Sequence, residues 1–293
     1  MDILASRHES VKLYDGDSLH DRTMTSSNQQ EITSLVIPVY NQLHYTEQCL
    51  DALYRCTELP YEIIVVDNGS TDGTETYLAS QKVTVITNAV NLGCAKAWNQ
   101  GVRASRGAVV GILNNDIVVT PGWLKDLLTF MNRTGHGIVS PAAREGRLDY
   151  DLDRYAVDFV RACGHATRRE IYGACMIIRC AVFDRIGLFD EGFAYGGCED
   201  IDFLWRTQKA GFSVGMTGSV LIHHFSMVTQ DAIKSAETKA YPLQNLSHFQ
   251  SKWNRTVRGN WATRRWDDLT SSMRKRYEKI RYGHTLVEKE KRG

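Results

Sequence analysis

The chain has 293 residues, 43% of them hydrophobic and 24% charged, with a net charge of +1. That is the balance of a globular protein with a real core, and it excludes a fibrous or wholly disordered chain. The longest uncharged apolar stretches, such as 108–113 and 218–222, fall far short of the roughly 18 to 20 residues of a membrane span, and the first residues show no secretory pattern, so the expected compartment is the cytoplasm. Seven cysteines at irregular spacing make no disulfide framework in a chain of this length and read as free thiols.

Residues 1–31 are polar, carry three basic against six acidic side chains, and read as an extension outside the core. Residues 34–39 and 62–67 are short β-branched runs bounded by polar residues, the mark of buried strands, with helical spacing of Leu50, Leu53 and Tyr54 between them. The loop Asn68–Gly73, a helical stretch through Ser80, a strand at 83–86, a helix at 95–105 and a strand at 108–113 follow. Strand and helix alternating at this pace predict a parallel sheet with helices on both faces. The second half is less regular: a strand at 173–178, a short helix at 181–186, an amphipathic helix at 199–210 with Ile201, Leu204 and Trp205 inward, and a strand-like run at 214–222 ending in His223 and His224. No periodicity is evident from Arg144 to Arg169. From Lys252 onward thirteen Lys and Arg face five acidic residues, with Trp261, Trp266, Tyr277 and Tyr282 interspersed. Such a tail suits an anionic lipid surface, an acidic partner or a second copy of the chain, the bland alternative being a solvated helix face.

Ligands in parallel α/β sheets bind at the carboxyl ends of the strands. That rule gathers Pro38–Asn41, Asp67–Asp72 and Asn114–Asp116 at one edge. No G-x-G-x-x-G follows the first strand and no G-x-x-x-x-G-K-[ST] occurs, which removes the dinucleotide fingerprint and the Walker loop. Residues 67–78 fail as a calcium loop, with glycine at the seventh position and Leu78 at the twelfth. A diphosphate bound at this edge would need a divalent cation, and Asp116 is placed to hold one. Asn114-Asn115-Asp116 is otherwise a turn or cap before Pro121, Glu199-Asp200 a helix-dipole pair, and His223-His224 two ordinary histidines.

Taken together, Ile37–Asn41, Val65–Thr74, Asn91–Gly93 with Asn99–Gly101, Leu113–Asp116, Gly187–Glu191 and Glu199–Phe203 resemble, in order, the motifs of glycosyltransferase family 2. The resemblance covers residues 33 to about 230. Each motif is weak alone; six in sequence are specific.

The resemblance implies an α/β GT-A fold with a Rossmann-like, mostly parallel central sheet, a smaller acceptor-side region, a nucleotide-sugar donor, Mn2+ or Mg2+, and inversion at the anomeric carbon. It divides the chain into the extension 1–31, a catalytic domain 32–250 (nucleotide half 32–120, acceptor half 121–250) and a basic helical extension 251–293. Pro38, Val39, Tyr40, Asn41, Asp67, Asn68 and Ser70 would line the nucleotide pocket, with Asp67 on the base; Asn91, Gly93 and Asn99 would shape its floor. Asn114, Asn115 and Asp116 occupy the place of the family's D-x-D motif, with Asn115 near the ribose and Asp116 on the metal. Asn114 replaces the first Asp, a variant similar to members that transfer rhamnose and related sugars. Asp200 would be the base, Glu199 would orient the acceptor, and one of His223 and His224, with His224 favoured, would ligate the cation. The implied acceptor is a glycan, lipid-linked glycan or peptide hydroxyl, with no nucleic acid. UDP is the common nucleotide, and dTDP-rhamnose stays open. A non-catalytic sugar-binding module on the same scaffold is the competing reading.

Overall fold

The computed structural model describes residues 32–226, 241–254 and 261–289, so the extension 1–31 lies outside the described residues. In chain order the elements are β1 (Thr33–Val39), α1 (Leu43–Cys56), β2 (Tyr61–Asp67), α2 (Thr74–Leu78), β3 (Thr84–Thr87), α3 (Cys94–Ala104) and β4 (Val109–Leu113). The four strands lie in the order β3-β2-β1-β4, every pair parallel. Alternation along β1 explains the layering. Leu35 and Ile37 join the core on one face with Leu50 and Leu53 of α1, while Val36 joins Trp98 and Val102 of α3 on the other. Both faces are covered, which is why these strands read as unbroken apolar runs.

The chain continues through β5 (Ile117–Val118), α4 (Trp123–Thr134), β6 (Ile138–Glu145), α5 (Leu152–Cys163), β7 (Thr167–Arg168), β8 (Cys175–Arg179), α6 (Cys180–Ile186), α7 (Glu199–Lys209) and β9 (Val214–His224). These strands extend the same sheet as β4-β8-β6-β9-β5. β8 runs antiparallel to β4 and to β6, and β5 antiparallel to β9. The described chain closes with α8 (Tyr241–Trp253), α9 (Trp261–Tyr282) and β10 (Val287–Lys289), which pairs in parallel with β6.

Three expectations need correction. The stretch 144–169 is not irregular: it holds α5, capped by the Asp151 carboxylate on Arg154 N and burying Leu152, Ala156, Phe159 and Cys163. Ile201 does not face inward but is 44% exposed; α7 buries Glu199, Asp202, Phe203 and Thr207 instead. Of these, the Asp202 carboxylate is satisfied by Arg206, Lys252 and the Trp253 indole. The strand expected over 214–222 does not stop there: β9 takes in His223 and His224, paired with Val118 and Ile117 of β5.

Candidate active site

The carboxyl ends of β1, β2 and β4 carry the three polar clusters, and the first two are knitted together by their own side chains. Asn41, held in the left-handed region at φ 53, donates its backbone N–H to Ser70 Oγ at 2.7 Å and accepts from Thr71 N at 2.7 Å. Ser70 N donates to Asp67 Oδ1 at 2.9 Å. Asn68 N donates to the Val39 carbonyl, so Val39 offers the edge only its backbone while its side chain is buried in the core. The Asn68 amide reaches Gly93 O and receives Asn88. Asn115 donates to Thr46 Oγ1 at 3.0 Å. The side chains of Pro38, Tyr40 and Asn114 take no part in this network.

Two further residues tie this edge to the second half of the chain. Asn91 Oδ1 accepts from Gly93 N, and Gly93, at φ 87, passes so close to Tyr195 that a Cβ would stand 2.8 Å from its backbone nitrogen. Only glycine fits there on both counts. Asn99 is buried and spends its amide on Phe189 N, Phe189 O and the Glu191 carboxylate, at 2.9, 2.9 and 2.8 Å.

Beyond β4, sheet register assembles a charged cluster. Antiparallel pairing of β5 with β9 sets Ile117 opposite His224, which brings Asp116 Oδ1 to 3.1 Å from His224 Nε2. The Phe225 N–H closes the corner on Asp116 O. Parallel pairing of β6 with β9 sets Glu145 beside His224, and the Tyr172 hydroxyl bridges them, 2.8 Å from Glu145 Oε1 and 2.5 Å from His224 Nδ1. Burial, then the Glu145 charge, pushes the Tyr172 phenol well above its ordinary pKa, so it stays protonated. His223 points elsewhere. Its Nδ1 meets Tyr150 Oη at 2.9 Å, its Nε2 is buried without a partner, and burial pushes it down to about 4.

The carboxylate pair opens α7 after Cys198, which adopts φ 79. Glu199 is 4% exposed, its Oε2 has no hydrogen-bond partner, and burial followed by the neighbouring Asp200 charge raises its pKa. Asp200 is also raised by burial, against the pull of the Ile201 N–H at 2.8 Å. Its Oδ2 lies against Gly173, where a Cβ would stand 2.5 Å away. Thus Tyr172 touches His224, Gly173 accommodates Asp200, and Ala174 O accepts from Asn114 N. Three consecutive residues therefore join the histidine, the carboxylate pair and the end of β4. Sequence reasoning missed Tyr172 and Glu145, since neither lies in a recognisable motif and both are recruited by strand register.

Comparison with known proteins bears on the family and the fold. The family model described as "Glycosyl transferase family 2" matches residues 34–187, over half the chain. An uncharacterized glycosyltransferase of Rickettsia typhi is 26% identical over 245 residues, 79% of this chain and 73% of the relative. The N-acetylglucosaminyl-diphospho-decaprenol L-rhamnosyltransferase of Mycobacterium tuberculosis is 26% identical over 295 residues, 84% of this chain and 95% of the relative. Among solved structures, a mannosyltransferase from Pyrobaculum calidifontis in complex with GDP-Man and Mn2+ superposes with a TM-score of 0.56 at 20% identity, covering 79% of this chain and 66% of that one. The fold is GT-A, and the chain belongs to glycosyltransferase family 2.

Proposed function

We propose that this glycosyltransferase moves one sugar, with inversion and cation assistance, from a nucleotide-sugar donor to a hydroxyl of a glycan or lipid-linked glycan. The observation that carries the reading is the placement of the Asp116–His224 pair and of Asp200 on either side of the Tyr172–Gly173 segment. A carboxylate oxygen and an imidazole nitrogen 3.1 Å apart have the spacing of neighbouring ligands on one ion with bonds of about 2.1 Å. The donor set of one carboxylate and one imidazole suits Mn2+. No group of three or more His, Cys, Asp or Glu able to hold a metal occurs among the described residues, and a cation held by Asp116 and His224 would take its other ligands from diphosphate oxygens and water. A cation bound there would neutralise charge developing on the departing diphosphate.

The chain's own residues supply the rest. Asp200 takes the proton from the acceptor hydroxyl as its oxygen bonds to the anomeric carbon, and the bond from that carbon to the diphosphate oxygen breaks with its electron pair on the leaving group. Attack opposite the diphosphate inverts the centre. The raised pKa of Asp200 makes it a stronger base than an exposed aspartate. Tyr40 and Asn114, whose side chains take no part in the edge network, are assigned to the nucleotide, while Asn41, Asp67, Asn68 and Ser70 fix the loops around it. The Asn114-Asn115-Asp116 variant and the mycobacterial relative's rhamnosyl transfer support dTDP-rhamnose beside the UDP-sugars usual in the family.

The test is calorimetry with UDP, dTDP and GDP, each with and without Mn2+, on wild type, Asp116→Ala and Asp200→Ala. Binding of one nucleotide that Mn2+ tightens only while Asp116 is present is expected, with Asp200→Ala binding donor normally while turnover falls by roughly 10²–10⁴. Full turnover in Asp200→Ala would return the base to another residue, and loss of all nucleotide binding in wild type would favour the non-catalytic module.

A second reading concerns where the reaction occurs. No described helix is long and apolar enough to cross a membrane. On α9, however, Met273, Tyr277 and Ile280 recur at helical spacing and are 70%, 61% and 77% exposed, amid Arg274, Lys275, Arg276, Lys279 and Arg281. An apolar stripe in a basic helix matches an anionic lipid surface, the location of a lipid-linked acceptor. Co-sedimentation with vesicles containing phosphatidylglycerol, but not with purely neutral ones, is expected. A dimer dispersed by Met273→Ser with Tyr277→Ser, with no vesicle binding, would assign the stripe to a second copy instead.

A further inference from the structure

The Asp116–His224 pair does not stand alone, and the groups behind it determine which nitrogen of His224 is available. Pairing of β10, β6, β9 and β5 sets Lys289, Glu145, His224 and Ile117 in one row across four strands. Within that row Lys289 Nζ lies 3.1 Å from Glu145 Oε2, so Glu145 is charge-compensated as well as largely buried. The Tyr172 backbone is pinned by Ser140 Oγ at 2.8 Å, and its ring packs edge-on against the His224 imidazole.

Once a cation takes the place of the proton between His224 Nε2 and Asp116 Oδ1, proton bookkeeping along this chain has one consistent solution. Tyr172 has a single O–H. The Glu145 carboxylate can only accept, so that proton goes to Glu145. The Tyr172 oxygen then accepts from His224, which fixes the hydrogen on Nδ1. The nitrogen left toward Asp116 is Nε2, with its lone pair available. We propose that Tyr172 and Glu145 are positioning residues that hold His224 in the orientation and tautomer able to bind a divalent cation with Asp116. The inference rests on the metal-assisted reading above and assigns two residues that touch neither donor nor acceptor in it. A partner on the far nitrogen of a ligating histidine sets ring orientation and ligand basicity, and its loss costs roughly 10–100-fold in metal affinity.

The two positions give different chemical predictions. Tyr172→Phe removes both bonds and leaves Nδ1 without a partner. Glu145→Gln keeps the shape, but its amide can donate to the phenol oxygen and release the Tyr172 proton to Nδ1. The hydrogen of His224 then moves to Nε2, where it blocks the cation. Both variants are therefore expected to weaken Mn2+ binding.

The experiment titrates Mn2+ by electron paramagnetic resonance against full-length wild type, Tyr172→Phe, Glu145→Gln and Asp116→Ala, at a saturating concentration of whichever of UDP or dTDP binds. Metal-free affinity for the same nucleotide is measured in parallel by calorimetry. Expected is Mn2+ affinity weaker by roughly 10–100-fold in Tyr172→Phe and in Glu145→Gln, with metal-free nucleotide affinity unchanged, a split that a general loosening of the fold would not produce. Wild-type Mn2+ affinity in either folded variant overturns the inference. If Tyr172→Phe does not fold, the Glu145→Gln result decides alone. Mn2+ binding by wild type that is indifferent to Asp116→Ala overturns the metal-assisted reading itself, whereas Asp116-dependent binding matched by both variants overturns only the roles of Tyr172 and Glu145.

Discussion

Glu199 concentrates the electrostatic cost of the site. Its carboxyl is buried beside Asp200, with one oxygen unpartnered, and its pKa rises from the ordinary 4.5 to about 8. A carboxyl raised on folding binds its proton more tightly in the native state than in the unfolded one. It therefore leaves stability intact below pH 4.5 and removes it as pH climbs through the window to about 8. Glu199→Gln, which is neutral throughout, is expected to be more stable than wild type at pH 8 and to lose that advantage by pH 4.5, with a slope on the order of 1.4 kcal/mol per pH unit inside the window. Urea melts of both proteins at pH 5 and pH 8 check it; equal differences at the two values would show that the carboxyl is not protonated in the native state. Wild type carries this liability in the first turn of α7.

At the scale of elements, the loops before α7 are held by amides as well as by the buried Phe189 and Phe193 rings. Asn99 of α3 clips Phe189 at both backbone groups, and Asn245 of α8 binds Ala194 N together with the carbonyls of Ala194, Gly196 and Gly197. Asn99→Ala would strand the buried Phe189 groups and is expected to cost about 1–3 kcal/mol per unsatisfied group, measurable as a lower denaturation midpoint with an unchanged m-value. A cost below 0.5 kcal/mol would mean that the 187–191 segment is held from elsewhere. How much of this was legible depends on how many faces an element buries. β1, β2 and β4 are covered on both sides and announce themselves as apolar runs. α5 carries Leu152, Ala156, Phe159 and Cys163 on one stripe behind an Asp151 cap, but Asp and Arg fill the other face densely enough to hide it. β10, only Val-Glu-Lys, has no pattern to read. Asp116 and Asp200 sit in recognisable motifs and His224 stands out at the end of a strand-like run, whereas Tyr172 and Glu145 acquire their place from register, which no local spacing encodes.

Across the whole molecule, the C-terminal segment is fastened to the sheet by charge. Arg168 of β7 and Glu278 of α9 form a two-pronged pair, at 2.7 and 2.5 Å, with side chains 6% and 7% exposed. Glu278 also accepts from Leu286 N at the turn into β10. Removing one partner of such a pair strands the other charge and costs about 3–5 kcal/mol. Arg168→Met is expected to release α9 and β10 before the rest unfolds, seen as loss of amide-exchange protection at 278–289 with protection of β1 and β4 retained. Uniform loss of protection would instead make the tail part of a single cooperative unit.

The run Tyr172-Gly173-Ala174 sets a limit on how this enzyme can diversify. Adjacent Cα atoms are 3.8 Å apart across a trans peptide, and Ala174 is fixed to β4 through Asn114 N. The span from His224 to Asp200 is thus gauged by a dipeptide that cannot stretch, shrink or accept an insertion. Any change in the spacing between His224 and Asp200 must therefore come from the elements that carry them, because the gauge itself admits only one setting.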